Sequence, residues 1–213
     1  MTGVPFRLIE TDDDVAEGAA WLSAAEPRFA AALAETGPLP LRRRSGGFPA
    51  LLKAVCSQQL SVASADAVWR RLEDARACTP HGLSALDDAA LRGCGLSRQK
   101  IAYARAIAAS GIDFDALARL PEEAAVETMT AIKGVGTWTA EIYLMFAVGR
   151  ADVFAPGDLA LQEAARLLFD LDARPRPVVF REMAEAWRPW RAVAARLLWA
   201  YYAVEKRREG VSE

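Results

Sequence analysis

The sequence predicts an all-α protein, and three observations predict it. Strand signals are scarce along all 213 residues. Apolar residues recur at helical spacing, as at Leu51, Leu52 and Val55 and again at Ala63, Ala67, Val68 and Leu72. Gly and Pro punctuate the Ala/Leu/Arg/Glu-rich stretches at intervals that suit about ten short helices.

Taken in order, "VAEGAAWLSAAEP" and "PRFAAALAETG" read as two short helices ended by Pro27 and Gly37. "PLPLRRRSGGFP" is a turn-rich connector carrying Arg42, Arg43 and Arg44. The run from Phe48 to Ala75 is helical but broken near Ser57, Gln58 and Gln59. "TPHGLSALDDAALRGCG" reads as one helix capped by Ser84 or Asp87 and closed by Gly93 or Gly95. "SRQKIAYARAIAASG" starts at Ser97 as N-cap and stops at Gly111. "LPEEAAVETMTAIKG" starts after Pro121, with acids in its first turn where the helix dipole favours them. Further helices are expected over 138–148, over 158–169 and from about Pro189 to Arg208. Trp21, Trp69 and Trp187 are assigned to the core, and Trp190 to packing.

Composition narrows the function. The hydrophobic fraction is 53% and the charged fraction 25%, which is globular rather than disordered. The net charge of -2 removes the whole-chain basic balance of many nucleic-acid binders. It leaves room for a local patch, for which Arg188, Arg191, Arg196, Lys206, Arg207 and Arg208 are the candidates. Three cysteines without a CxxC pair, and a single histidine at position 81, argue against a disulfide framework, a zinc site or an iron–sulfur cluster. Such thiols suit a reducing cytosol. The N-terminus lacks a signal-peptide pattern, and no apolar run is long enough to span a membrane. A cytoplasmic protein without membrane contact is expected.

Two short stretches carry chemistry. In "IKGVGTWTAE" a helix ends at about Ile132, Gly134 and Gly136 permit positive φ, and a new helix starts at about Thr137, which can N-cap it. Amides at such a start can take an anion, although glycines also close ordinary helix connections. In "FAPGDLALQ", Asp158 follows Pro-Gly and precedes an apolar helix, a position that by itself suits an N-cap. Asp152 reads as a surface loop acid.

Together the two stretches, "IKGVGTWTA" and "DVFAPGD", resemble the helix–hairpin–helix DNA glycosylase superfamily. "AVCSQQLSVASADAVWRRL", "CGLSRQKIAYARAIA" and "AEAWRPWRAVAARLLWAYY" are similar to further segments of that family, in the same order, over residues 48–202. The nearest branch is the alkylbase, or 3-methyladenine, DNA glycosylase II group.

The resemblance implies a two-lobed helical fold. A helical barrel would span 48–150, and 1–47 with 151–213 would form the second lobe, with DNA in the cleft between them. It implies Asp158 as the catalytic carboxylate, and Trp138 and Trp199 as linings of the base pocket, although Trp199 by residue type suits the core equally well. Lys133, Gly134, Gly136 and Thr139 would bind the DNA backbone, and Gln59 and Leu60 would form the wedge. The carbonyls of Thr130, Ile132 and Gly134 would hold a Na⁺ or K⁺ ion. The implied partner is double-stranded DNA containing damaged bases, acted on by a monomer with no other cofactor.

The implied activity is hydrolytic excision of alkylated purines. Alternatives are other damaged purines (hypoxanthine, ethenoadenine or oxidised bases) on the same scaffold, or a binding module without catalysis. The chain departs from the family in several places. Lys133 replaces a usual proline, and Trp138 stands where lyase-active members place lysine. Ile142 replaces a pocket tyrosine found in some relatives, and Leu159, rather than an aromatic residue, follows Asp158. The four-cysteine run of the iron–sulfur branch is absent.

Overall fold

A computed structural model describes residues 6–210. In chain order the α-helices are α1 (Asp12–Ala25), α2 (Pro27–Thr36), α3 (Gly47–Cys56), α4 (Val62–Asp74), α5 (Pro80–Ala85), α6 (Asp88–Gly93), α7 (Arg98–Ala109), α8 (Glu122–Thr130), α9 (Thr137–Tyr143), α10 (Leu159–Leu168), α11 (Pro177–Ala184) and α12 (Arg191–Gly210). Short 3-10 turns follow at Ala116–Ala118 and Glu185–Trp187, and a π-helical stretch, Leu144–Val148, continues α9. Among the described residues, strand-like pairing is confined to one isolated bridge between Leu8 and Arg150. The fold is all-α.

Contacts divide the chain into two compact units, 44–148 and 1–43 with 149–213. The second unit, of which 6–43 and 149–210 are described, packs α1, α2, α10, α11 and α12 together. Its core is aromatic. Phe29, Phe154, Phe169, Phe180 and Trp187 meet in pairs with ring centroids 4.9 to 6.0 Å apart. Such contacts add about 0.5–1.5 kcal/mol each beyond the area they bury. Phe154 lies four residues before Asp158, so this cluster anchors the loop that delivers the carboxylate. Trp190 is also buried.

The 44–148 unit is built on α3, α7 and α9. Leu51, Leu52 and Val55 of α3 are fully buried, as their spacing predicts. Helices α3 and α9 run antiparallel, as three contacts show. The Gln58 amide meets the Thr139 hydroxyl at 3.5 Å, the Gly47 N–H donates to the Tyr143 hydroxyl at 2.6 Å, and the Arg44 N–H donates to the Phe146 carbonyl at 3.0 Å. Burial pushes the Tyr143 phenol up to about 12. It stays protonated at neutral pH and can also donate to the Gly47 carbonyl, at 3.4 Å.

Several expectations are corrected. The stretch 79–95 forms two helices. Thr79, with Pro80 behind it, caps α5, and Asp87 caps α6 by accepting from the Ala90 N–H at 2.7 Å. Ser84 is therefore inside α5 and caps nothing. Helix α11, unexpected from a proline-rich stretch, starts with Pro177 in its first turn, where a missing N–H costs little. Trp21 is 38% exposed rather than in the core, and Trp69 is half-buried.

The C-terminal basic run is only partly open: Arg188, Lys206, Arg207 and Arg208 are exposed. Arg191 and Arg196 are buried. Arg191 and Arg188 reach Asp152 at 2.6 and 2.9 Å, so Asp152 anchors the start of α12 rather than standing as a surface acid. Arg196 donates to the Leu41 and Ala192 carbonyls, and Arg208 pairs with Glu35 at 3.1 Å. Burial, then the like charges of Arg42 and Arg43, push the Arg196 guanidinium down to about 10, still cationic at neutral pH.

Candidate active site

Asp158 is positioned by its own turn. Its N–H donates to the Ala155 carbonyl at 3.0 Å, and the buried Gln162 amide donates to the Pro156 carbonyl at 2.7 Å. The carboxylate then caps α10. Its Oδ1 accepts from the N–H groups of Ala160 and Leu161, both at 3.0 Å. The indole Nε1–H of Trp199, from α12, donates to the same oxygen at 3.2 Å. The cap and the catalytic candidate are thus the same side chain. Asp158 and Trp199 are both half-buried, so the group is held firmly and remains reachable. Gly157 and Leu159 on either side are exposed, Leu159 by 65%.

The glycine hairpin belongs to the 44–148 unit. Helix α8 closes at Ala131, and the Val135 N–H turns back to the Ile132 carbonyl at 3.0 Å. Gly134 takes φ +93°, a region that favours glycine, and a Cβ there would lie 2.2 Å from the Tyr103 ring of α7. Gly136 differs from the expectation. Its φ is -88°, and a Cβ there would meet nothing within 4 Å. Gly136 is also the N-cap of α9, without a side-chain cap hydrogen bond, while Thr137 is the first helical residue and not the cap. Lys133, Gly136 and Thr137 are exposed, and Trp138 is 46% exposed.

Thr139, expected to bind the DNA backbone, lies in the first turn of α9 with its side chain turned inward. It is 4% exposed, and its hydroxyl faces the Gln58 amide. That contact brings the 57–61 turn to the hairpin end of the unit. In this turn Gln59 has φ +57° and Leu60 is 39% exposed. Sequence reasoning missed two residues that support these loops, Lys100 and Tyr103 of α7. The Lys100 ammonium donates to the carbonyls of Cys56 and Gln58 at 2.7 and 2.8 Å. Their signal was present in "SRQKIAY", where positions 100 and 103 share one helix face.

The profile of the HhH-GPD superfamily base excision DNA repair proteins matches residues 52–189, which contain the hairpin, the 57–61 turn and Asp158. The chain belongs to this superfamily. Within the HhH-GPD superfamily it is 33% identical to DNA-3-methyladenine glycosylase 1 of Schizosaccharomyces pombe over 70% of this chain and 69% of that protein. It is 25% identical to an alkylbase DNA glycosidase-like protein of the same yeast over 88% of this chain and 94% of that protein. Among solved structures it resembles the DNA-3-methyladenine glycosidase of Bacillus halodurans, with TM-score 0.81 and 29% identity, covering 96% of this chain and 95% of that one. It also resembles the S. pombe 3-methyladenine DNA glycosylase in complex with abasic DNA, with TM-score 0.73 and 28% identity, covering 86% and 95% of the two chains.

The helix–hairpin–helix of the superfamily is α8, the 131–136 turn and α9. Among the described residues no cluster of three or more His, Cys, Asp and Glu side chains could hold a metal ion, and no helix is long and apolar enough to cross a membrane.

Proposed function

We propose that this protein is a monofunctional DNA glycosylase that hydrolyses the N-glycosidic bond of alkylated purines in double-stranded DNA, acting as a monomer. The observation that carries the reading is the half-buried Asp158 carboxylate, fixed through one oxygen by two backbone amides and the Trp199 indole. The 3-methyladenine glycosylases of yeast and Bacillus among its relatives support the substrate class.

The chemistry asks little beyond such a carboxylate. A base within a duplex is out of reach, so it is rotated out and its place filled by a wedge, here Gln59 and Leu60. An alkylated purine carries positive charge, and an aromatic face such as that of Trp199, beside Asp158, attracts it by about 0.5–2 kcal/mol per contact. The C1′–N bond breaks with its electron pair leaving on the purine, which becomes neutral and needs little acid assistance. The sugar takes on oxocarbenium character, as in other glycoside cleavages. The Asp158 carboxylate stabilises that cation, and water adds at C1′ and loses a proton, leaving an abasic site.

In the hairpin, Lys133 and the backbone at Gly134 and Gly136 hold phosphate. The carbonyls of Thr130, Ile132 and Gly134 suit a monovalent cation. Thr130 ends α8, where helix carbonyls lack helical donors and carry partial negative charge, and Ile132 and Gly134 follow in the turn, where the Ile132 carbonyl also accepts from the Val135 N–H. A bound Na⁺ or K⁺ ion would add positive charge facing a phosphate.

The absence of lyase action rests on Trp138. A lyase needs an amine to attack C1′ and form a Schiff base, and an indole nitrogen is not nucleophilic. The test is incubation with duplexes containing 3-methyladenine or 7-methylguanine. Free base should be released and strands stay intact until alkali is added, and borohydride should trap no protein–DNA adduct. An adduct lost in Lys133→Ala would make the protein a lyase. No release from either duplex would overturn the glycosylase assignment.

A further inference from the structure

Helix α7 lies far in sequence from every residue with an expected role, yet it underlies two of the DNA-facing loops. Lys100 and Tyr103 are three residues apart and therefore share a face. Tyr103 fills the space beneath Gly134 and hydrogen-bonds with Gln99 one turn back. Lys100 lies beneath the 57–61 turn, where its ammonium donates to the Cys56 carbonyl at 2.7 Å and the Gln58 carbonyl at 2.8 Å.

Those two carbonyls fall where α3 ends and the chain reverses. Helix ends leave carbonyls without helical partners, and a cation there is favourable. The turn that follows needs outside support. Gln59 adopts φ +57°, uncommon for a residue with a side chain. The Leu60 N–H donates to the Ser57 carbonyl at 3.2 Å, and Ser61 caps α4 by accepting from the Ser64 N–H. Between these fixed ends Leu60 is held out with its side chain partly exposed. The Gln58 side chain faces Thr139, while its carbonyl is held by Lys100.

We propose that Lys100 is a positioning residue for base extrusion. By holding the carbonyls of Cys56 and Gln58 it keeps the 57–61 turn in the one shape that presents Leu60 as a rigid wedge, from the same end of the unit as the hairpin. The inference rests on the glycosylase reading above and deepens it. Lys100 does not touch substrate. Its contribution is pre-organisation, so it matters only where a paired base must be displaced from the stack.

That restriction supplies the test. Single-turnover excision is measured on two substrates: 7-methylguanine paired in a duplex, and the same lesion unpaired in a single-nucleotide bulge, where little unstacking remains to be done. Lys100→Met should lower the duplex rate at least ten-fold and the bulge rate less than three-fold, and Lys100→Arg should restore most of the duplex rate. Leu60→Ala should show the same selectivity. The double variant should be no slower than Leu60→Ala alone, because a wedge that is gone cannot be misplaced.

Equal losses on both substrates, or additive losses in the double variant, would overturn the proposal and make Lys100 a structural residue. Thermal denaturation of each variant checks that it folds. Should Lys100→Met not fold, Lys100→Gln, which keeps one donor, carries the same comparison. Wild-type protein inactive on both substrates would count against the glycosylase reading itself, a result distinct from either outcome for Lys100.

Discussion

Helices α9 and α10 begin in opposite ways. At the start of α9 stands Gly136, which contributes no side-chain acceptor and is exposed. At the start of α10 stands Asp158, whose carboxylate accepts from two first-turn amides. A helix start carries partial positive charge in either case. In α10 that charge serves the protein itself, fixing a carboxylate that Trp199 grips from the side. In α9 the protein supplies no carboxylate or hydroxyl at the cap, which leaves the hairpin open to an anion from outside. On the proposed reading, one fold uses the same backbone property twice, once to fix the Asp158 carboxylate and once to receive a phosphate.

The largest structural effect should come from Gly134→Ala. A Cβ would meet the Tyr103 ring at 2.2 Å, at φ +93°. Overpacking and backbone strain together should cost about 2–4 kcal/mol, read as a fall in unfolding free energy, and DNA binding should weaken with it. Pairing it with Tyr103→Ala should recover part of the loss. An undiminished stability would mean that the hairpin does not rest on α7.

Trp199→Phe sharpens the other side. It removes a hydrogen bond to a charged group, worth about 1.5–3 kcal/mol, while keeping an aromatic face. Excision should slow about ten-fold or more, with affinity for undamaged duplex unchanged. A variant with the parent's rate would leave Trp199 a packing residue only.

Gly136→Ala is the mildest for the protein and the most telling for the comparison. Among the described residues, nothing beyond its chain neighbours and its own helix lies within 4 Å of the added methyl, and the unfolded-state gain of about 0.4–1 kcal/mol is offset by alanine's poorer fit at an N-cap, so stability should stay within about 1 kcal/mol of the parent. Binding to all duplexes should nonetheless weaken several-fold, because phosphate contacts position without specifying sequence. Unchanged affinity across a salt series would break the analogy between the two helix starts.

Local chemistry made much of this legible in the sequence. Gly134 and the Pro-Gly before Asp158 announce turns through backbone constraints that act within a few residues, and the apolar spacing of α3 announces its buried face. What failed was long-range. The sequence around Arg191 and Arg196 does not say that these charges fold inward, because their acceptors include Asp152 and the Leu41 carbonyl, the latter 155 residues away. Trp21 looked like core by residue type, but whether a tryptophan is covered depends on which helices pack over it. The proline-rich approach to α11 reads as a breaker unless Pro177 is known to occupy a first turn. Lys100 and Tyr103 stand in a family-like segment, but nothing in it gives them a role until the loops they support are placed above them.

The central claim is that the Asp158 carboxylate acts on the sugar in addition to capping a helix, and Asp158→Asn separates the two roles. Asparagine is as good an N-cap as aspartate, and its amide oxygen can still accept from Trp199, so thermal stability should match the parent. The neutral amide cannot balance a developing cation. Single-turnover release of 3-methyladenine at saturating enzyme should therefore fall by about 100- to 1,000-fold, with duplex affinity retained. A rate within a few-fold of the parent, in a variant that folds and binds normally, would contradict the account and leave Asp158 a helix cap alone.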